Sequence, residues 1–214
     1  MKVLLWLGGL ALVVIFWPRF VADWRLLRSD RREWLAQKWE NWIKPLLIAA
    51  ILAMGIRTFV LGPYKIPTGS MRPFLTEGDR IFVDKLSYRF REPRRGEVTV
   101  FKYPLDRKKD FVKRLVGLGG ETLEIREGQI FIGDKRLESP SAITQHFYYN
   151  REDWEFGKRG QSILIPDGHF FVLGDNSAHS SDSRNWGFVP RKDVIGRAVV
   201  IWWPPSRIRL IKDS

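Results

Sequence analysis

Two apolar runs near the start of the chain, and a long tract of short alternating runs after them, divide the sequence into unlike parts. Val3 to Trp17 is apolar and uncharged behind Lys2. It resembles the hydrophobic region of a secretion signal, but Trp17, Pro18 and Arg19 follow it in place of a small-residue cleavage pattern. It therefore reads as an uncleaved first transmembrane anchor over residues 1–18. About 15 helical residues rise only about 22 Å against a hydrocarbon core of about 30 Å, so Phe16 to Phe20 would extend it into the interface, with Arg19 snorkelling. Residues 19–44 are basic and Trp-studded, either a solvated cytoplasmic loop or an amphipathic helix lying on the membrane. A second apolar run, Pro45 to Ile56 with Thr58 to Leu61 after Arg57, reads as a second transmembrane helix over residues 45–62. A buried helix of a soluble domain competes with it, because about 12 unbroken apolar residues are too few to span. A short basic loop between two spans is a positive-inside signal, which puts both the N-terminus and residues 63–214 outside.

Beyond Pro63 the period changes. Tyr64–Ile66, Arg80–Asp84, Glu97–Lys102, Phe111–Val116, Thr122–Arg126, Gln129–Ile132, Ser162–Ile165, His169–Leu173 and Arg197–Trp203 are short strand-like runs separated by Gly, Pro and Asp. Ser139 to Gly160 has no clear period and reads as a longer connection. The expected fold class is mainly β: an antiparallel β-sheet domain over residues 63–214, preceded by N-terminal transmembrane helices.

Composition narrows the chemistry. The absence of cysteine excludes disulfides, thiolate metal sites and thiol catalysis. The three histidines, His146, His169 and His179, lack metal-site spacing, so no metal is expected. A net charge of +12 suits nucleic acid, an anionic membrane or an acidic substrate and selects none of them.

The most informative stretch is Tyr64-Lys65-Ile66-Pro67-Thr68-Gly69-Ser70-Met71-Arg72-Pro73. Two prolines and a glycine set an irregular backbone around one serine, so Ser70 is either an ordinary turn residue or a presented nucleophile. A serine hydroxyl needs a base. His179 with Asp175 or Asp182 would complete a triad on paper only. Lys113 fits better: strand period puts it on one face with Phe111 and Leu115, as an edge gatekeeper or a buried amine. Burial lowers a lysine pKa, and a neutral amine can take the serine proton. The polar stretch Gly174 to Arg184 is a surface loop or the source of a hydroxyl that holds that amine, with Asp182 and Arg184 pairing to fix it.

Together these segments resemble the ordered boxes of the type I signal peptidases. Arg57-Thr58-Phe59, Ile66 to Pro73, Gly78-Asp79-Arg80 through Asp84-Lys85 with Arg95 to Phe101, Lys113-Arg114-Leu115-Val116-Gly117, and Gly174-Asp175-Asn176 with Ser180, Asp182, Ser183 and Arg184 carry the likeness. Ser177-Ala178-His179 and Gly119 depart from the usual pattern. The resemblance implies that Ser70 is the nucleophile, Lys113 the general base and Ser180 the residue orienting its amine. It implies an oxyanion hole of the Ser70 N–H and the Thr68 hydroxyl, a supporting Asp182–Arg184 pair, and a substrate cleft lined by Tyr64, Ile66, Leu75, Phe111 and Val112. It further implies an endopeptidase of a bacterial-type inner membrane that needs no metal or cofactor. Its partners would be signal-peptide-bearing preproteins, cut after Ala-x-Ala, and the lipid bilayer, with no nucleic acid. A related Ser–Lys peptidase with a specialised substrate such as a pilin, and a non-catalytic basic β-domain binding anionic lipid or nucleic acid, are the rival readings.

Overall fold

The computed structural model describes residues 31–212. The expected first anchor and the start of the basic segment lie outside them. The chain divides into two units, Met1–Gly55 and Ile56–Ser214.

Helix α1 (Arg31–Lys38), a π-helical turn (Trp39–Ile43) and helix α2 (Lys44–Phe59) follow one another without a break. The second apolar run begins at Pro45, yet the helix passes through that proline. The π turn supplies the physical reason. A proline inside an α-helix has no N–H to give and its ring collides with the carbonyl four residues back. Just before Pro45 the ladder opens, and the Lys44 N–H donates to the Trp39 carbonyl, five residues back. None of the residues of this helix is buried, and Leu46, Ile51 and Met54 are about two-thirds exposed at 65%, 68% and 70%. By length and composition it can cross a membrane, and it is the one such helix among the described residues.

Among the described residues, every strand pairing of the second unit is antiparallel. Its strands are β1 (Leu61–Lys65), β2 (Arg80–Asp84), β3 (Val98–Tyr103), β4 (Asp106–Gly117), β5 (Thr122–Arg126), β6 (Gln129–Ile132), β7 (Lys135–Arg136), β8 (Ser162–Leu164), β9 (His169–Leu173), β10 (Val189–Pro190), β11 (Val194–Trp203) and β12 (Arg209–Leu210). One sheet runs β1-β2-β11-β3-β4-β9-β10 with β12 on β11; a smaller one runs β7-β6-β5-β8. The mainly antiparallel expectation holds. Strand β4 is longer than its apolar run suggests, because Arg107, Lys108 and Lys109 are exposed polar residues that hide its first half from a hydrophobicity pattern.

Alternation builds the core. In β2, Ile81 and Val83 are fully buried between exposed or half-buried neighbours. They pack with Ile66, Met71, Leu75, Val98, Val100, Ala198 and Ile201. Strand β3 is central and buried on both faces: Phe101, on the opposite face from Val100, packs with Leu115, Phe170, Val172 and Trp186. A third cluster around Leu123, Ile163 and Phe171 joins the smaller sheet to the rest.

Two features of this frame position the site. β1 is an edge strand of the large sheet. β4 pairs with β9 only from Arg114 onward, so its stretch before Arg114 has β3 on one side and a free edge on the other.

Candidate active site

Ser70 lies in the connection between β1 and β2. The chain turns directly after it, with the Arg72 N–H donating to the Gly69 carbonyl (3.1 Å) and the Leu75 N–H to the Met71 carbonyl (2.9 Å). Met71 and Leu75 are fully buried, so the turn is anchored from below by the core. From the side it is clamped by Asn176, whose backbone N–H donates to the Ser70 carbonyl (3.1 Å) and whose Nδ2 donates to the Gly69 carbonyl (3.0 Å). Lys113 comes from β4, opposite Thr99 of β3.

Across 43 positions of sequence, the Lys113 Nζ donates to the Ser70 Oγ at 2.6 Å. Both side chains are buried: Lys113 is 4% exposed and Ser70 8%. The Lys113 amine is pushed down from 10.5 to about 8, first because burial removes water from the ammonium, with the Arg184 charge adding to this. The Asp182 and Asp175 carboxylates pull the other way. Each of these acids is neutralised by its own arginine. Arg114 holds Asp175 through two bonds, Nε to Oδ1 at 2.8 Å and Nη2 to Oδ2 at 2.6 Å. Arg184 holds Asp182 through Nε to Oδ1 at 2.8 Å and Nη2 to Oδ2 at 2.7 Å. Desolvation therefore prevails over the two anions, and the amine sits near the range where it can accept a proton at physiological pH.

The cleft beside the pair encloses about 130 Å³ and is lined by Tyr64, Ile66, Thr68 and Ser70 on one wall and by Asp110, Phe111, Val112 and Lys113 on the other. The two walls are the β1 edge with its continuation and the free edge of β4, and Ile81 and Val100 also line it. An extended peptide could add to both edges at once.

A model of the family described as signal peptidase, peptidase S26, matches residues 39–203. The chain belongs to the signal peptidase family. A probable signal peptidase I-2 of Synechocystis sp. is 39% identical over 182 residues, covering 82% of this chain and 78% of its own. The thylakoidal processing peptidase 1 of Arabidopsis thaliana is 32% identical over 175 residues, covering 77% of this chain and 48% of its own. A solved signal peptidase I of Enterococcus faecalis aligns with 50% of this chain and 97% of its own, at 32% identity and a TM-score of 0.40.

With this signal peptidase family established, the individual residues divide as follows. Ser70, Lys113 and Thr68 come together, the Thr68 hydroxyl standing 3.5 Å from the Ser70 Oγ. Tyr64, Ile66, Phe111 and Val112 all line the cleft. Asp182 and Arg184 are paired and fully buried. Leu75 is not at the cleft: it is fully buried in the core with Ile66 and Met71, five residues past the serine and one helical turn beyond Met71. Ser180 is buried nearby, but its hydroxyl makes no hydrogen bond, so the structure does not join it to the Lys113 amine. His179 is exposed on a short helical turn, and Asp175 and Asp182 are occupied by arginines, so the paper triad with Ser70 does not form.

Sequence reasoning assigned no separate role to Asn176, to the Arg114–Asp175 pair or to Ser177. The Ser177 Oγ accepts from the Arg184 Nη1 (2.7 Å) and the Tyr149 N–H (2.9 Å), so the unusual residue at this position is part of the buried network. An arginine inside the apolar run of β4 was the signal for such a partner, but the acid it meets lies 61 positions away.

Gly174 allows the last loop to close on the serine. A Cβ there would stand 2.1 Å from the Ser180 Oγ and 2.5 Å from the Ser70 carbonyl oxygen. The second contact is backbone, so the serine turn itself would have to move. Gly174→Ala is expected to cut kcat/KM by roughly 10- to 100-fold, the scale of a misplacement of about 1 Å. Steady-state kinetics on the folded variant check this; wild-type activity would show that the turn has more freedom than the contact allows.

Proposed function

We propose that Ser70 and Lys113 are the nucleophile and general base with which this chain, a serine endopeptidase of the signal peptidase family, removes signal peptides from preproteins. The observation that carries the assignment is the 2.6 Å contact between a buried amine and a buried hydroxyl beside a cleft open to an extended chain.

The chemistry follows from the positions. Neutral Lys113 takes the proton of the Ser70 hydroxyl as Oγ bonds to the carbonyl carbon of the residue before the cut. The oxygen that becomes negative meets the Ser70 N–H, which no hydrogen bond engages among the described residues, and the Thr68 hydroxyl. The protonated lysine then gives its proton to the departing amine, and the signal peptide remains as an ester on Ser70. Water, losing a proton to Lys113, attacks that ester and restores the free serine. Small residues at −1 and −3 suit the shallow apolar floor made by Ile66, Val100 and Val112.

The membrane arrangement belongs to the same reading. Residues 1–18 would form a first anchor, 19–44 a cytoplasmic basic segment, 45–62 a second span and 63–214 the catalytic domain outside a bacterial-type inner membrane. The unburied apolar helix that ends at Phe59 supports a span there, as do exposed Trp39 and Trp42 at its polar end, where indole rings favour the interface. Sharing a bilayer with its substrate would bring the cut site to the enzyme by diffusion in two dimensions.

The test is cleavage of a preprotein carrying Ala-x-Ala by the detergent-solubilised chain, followed against pH. Only the neutral amine is competent, so kcat/KM should rise about tenfold per unit as pH approaches about 8 and level off above it. A rate already at its maximum at acidic pH would overturn the lysine as base.

A further inference from the structure

The backbone donor at Ser70 rests on one peptide plane. The Ser70 N–H and the Gly69 carbonyl belong to the same trans peptide unit. They point to opposite edges of that plane, so fixing one fixes the other. Two donors hold the carbonyl. The Arg72 N–H, at 3.1 Å, is part of the same turn and moves with it. The Asn176 Nδ2, at 3.0 Å, comes from 107 positions away in sequence and ties the plane to the rest of the domain. Only the NH2 end of the amide can donate to a carbonyl, so this partner also fixes which way the Asn176 side chain faces.

Asn176 is itself held. Its backbone N–H donates to the Ser70 carbonyl at 3.1 Å, and its carbonyl accepts from the His179 N–H at 3.0 Å. The residue before it, Asp175, is buried and bound through both carboxylate oxygens by Arg114. The side of approach matters as well. Tyr64 to Thr68 and Ser70 line the cleft, whereas Gly69, Arg72 and Asn176 do not. The carbonyl is thus held from behind. The N–H on the far edge of the plane is turned to the cleft, where no hydrogen bond engages it among the described residues. A hydrogen bond accepted by a carbonyl also polarises its amide and strengthens the N–H as a donor.

We propose that Asn176 is a positioning residue for the developing oxyanion: its side-chain amide sets the plane of the Gly69–Ser70 peptide and so aims the Ser70 N–H at the negative oxygen. This rests on the peptidase reading above and adds to it the group that orients its backbone donor. Asn176 acts through Ser70, because it does not line the cleft itself.

The experiment uses the full chain in detergent, as wild type, Asn176→Ala and Asn176→Asp. Alanine removes the donor. Aspartate keeps the shape but sets an anion against the Gly69 carbonyl. Both leave the backbone bond to Ser70 in place. With an Ala-x-Ala preprotein, kcat should fall about 10- to 100-fold in Asn176→Ala, less than the roughly 10²–10³ for outright loss of an oxyanion donor. KM should change little, and Asn176→Asp should be slower still when each is measured at the plateau of its own pH profile. The plateau of Asn176→Ala should begin where that of the wild type does, because Asp175, Asp182 and Arg184 around Lys113 are untouched.

A peptide ending in Ala-x-Ala with a C-terminal aldehyde isolates the oxyanion. The Ser70 Oγ bonds to the aldehyde carbon, the C=O π bond opens, the Oγ proton passes to Lys113, and the negative oxygen faces the Ser70 N–H. The matching peptide alcohol has no carbonyl to open. Asn176→Ala should weaken binding of the aldehyde about tenfold or more and leave the alcohol within about twofold. Wild-type kcat in Asn176→Ala, equal weakening of aldehyde and alcohol, or an aspartate variant faster than the alanine one overturns the proposal. So does a displaced plateau in Asn176→Ala, which would put the effect at Lys113. Two variants too unstable to assay would make Asn176 a structural tie and overturn it as well. Failure of the wild type to cut the preprotein would count against the peptidase reading itself, a separate outcome.

Discussion

Ser70→Ala and Lys113→Met should each lower kcat/KM for preprotein cleavage by about 10³-fold or more, and the double variant should be little worse than either. The hydroxyl and the amine act as one unit across 2.6 Å, so removing either leaves the other with nothing to do. General-base action alone is worth about 10²–10⁴ in rate, and loss of the nucleophile removes the covalent route altogether. Steady-state kinetics on the three variants check this. Near-additive losses would mean that the two groups act independently, and wild-type rates in either single variant would remove it from the reaction.

Lys113→Met also carries a stability signature that separates lost chemistry from lost folding. Burial holds the Lys113 pKa at about 8, against 10.5 for the ordinary amine. Below pH 8 both folded and unfolded chains carry the proton, and the cost of burying a charge is felt in full. Between about pH 8 and 10.5 the folded amine has lost the proton while the unfolded one keeps it, so wild-type stability rises with pH by about 3 kcal/mol. Methionine has no such cost. The variant should therefore be at least as stable as the wild type at neutral pH, and its advantage should shrink as pH rises through that window. Denaturant unfolding at neutral and alkaline pH reads the difference; a variant less stable than the wild type at neutral pH would mean that the amine is not burying a charge.

The same balance of local and distant effects explains what the sequence revealed. Strands such as β2, β5 and β9 were legible to the residue because Ile81 and Val83, Leu123 and Ile125, and Phe171 and Leu173 alternate or run unbroken between turn residues. The first half of β4 was not, because an exposed edge carrying Arg107, Lys108 and Lys109 looks like a loop. The passage of the helix through Pro45 was not legible, because the π turn that opens the ladder before it leaves no mark in the hydrophobicity pattern. Ser70 and Lys113 could be picked out by residue type, a serine in a rigid turn and a lysine in an apolar row. Their contact spans 43 positions and is decided by sheet order, which no local pattern states. Leu75 went to the core for a related reason: the turn after Ser70 rotates the chain by a helical period, which sends Met71 and Leu75 inward together.

Asp175→Ala should destabilise the fold by about 3–5 kcal/mol, the usual consequence of leaving one member of a buried ion pair alone. Arg114 is 1% exposed, and with Asp175 gone its guanidinium would retain the Gly96 carbonyl, at 2.7 Å, and the face of Phe74, with no anion. Replacing both members, as in Arg114→Met with Asp175→Leu, removes the stranded charge and should recover most of that loss, because two desolvated ions often contribute little over apolar groups of similar size. Activity should not recover with it. Asp175 sits between Gly174, which lies against the serine turn, and Asn176, which donates twice to that turn. The pair therefore fixes where the turn is held as well as adding to stability. Urea unfolding and kcat/KM measured on the same two variants distinguish the roles. Stability and activity returning together in the double variant would reduce the pair to a structural tie, whereas a stable but slow enzyme is the result expected if it sets the distance between Ser70 and Lys113.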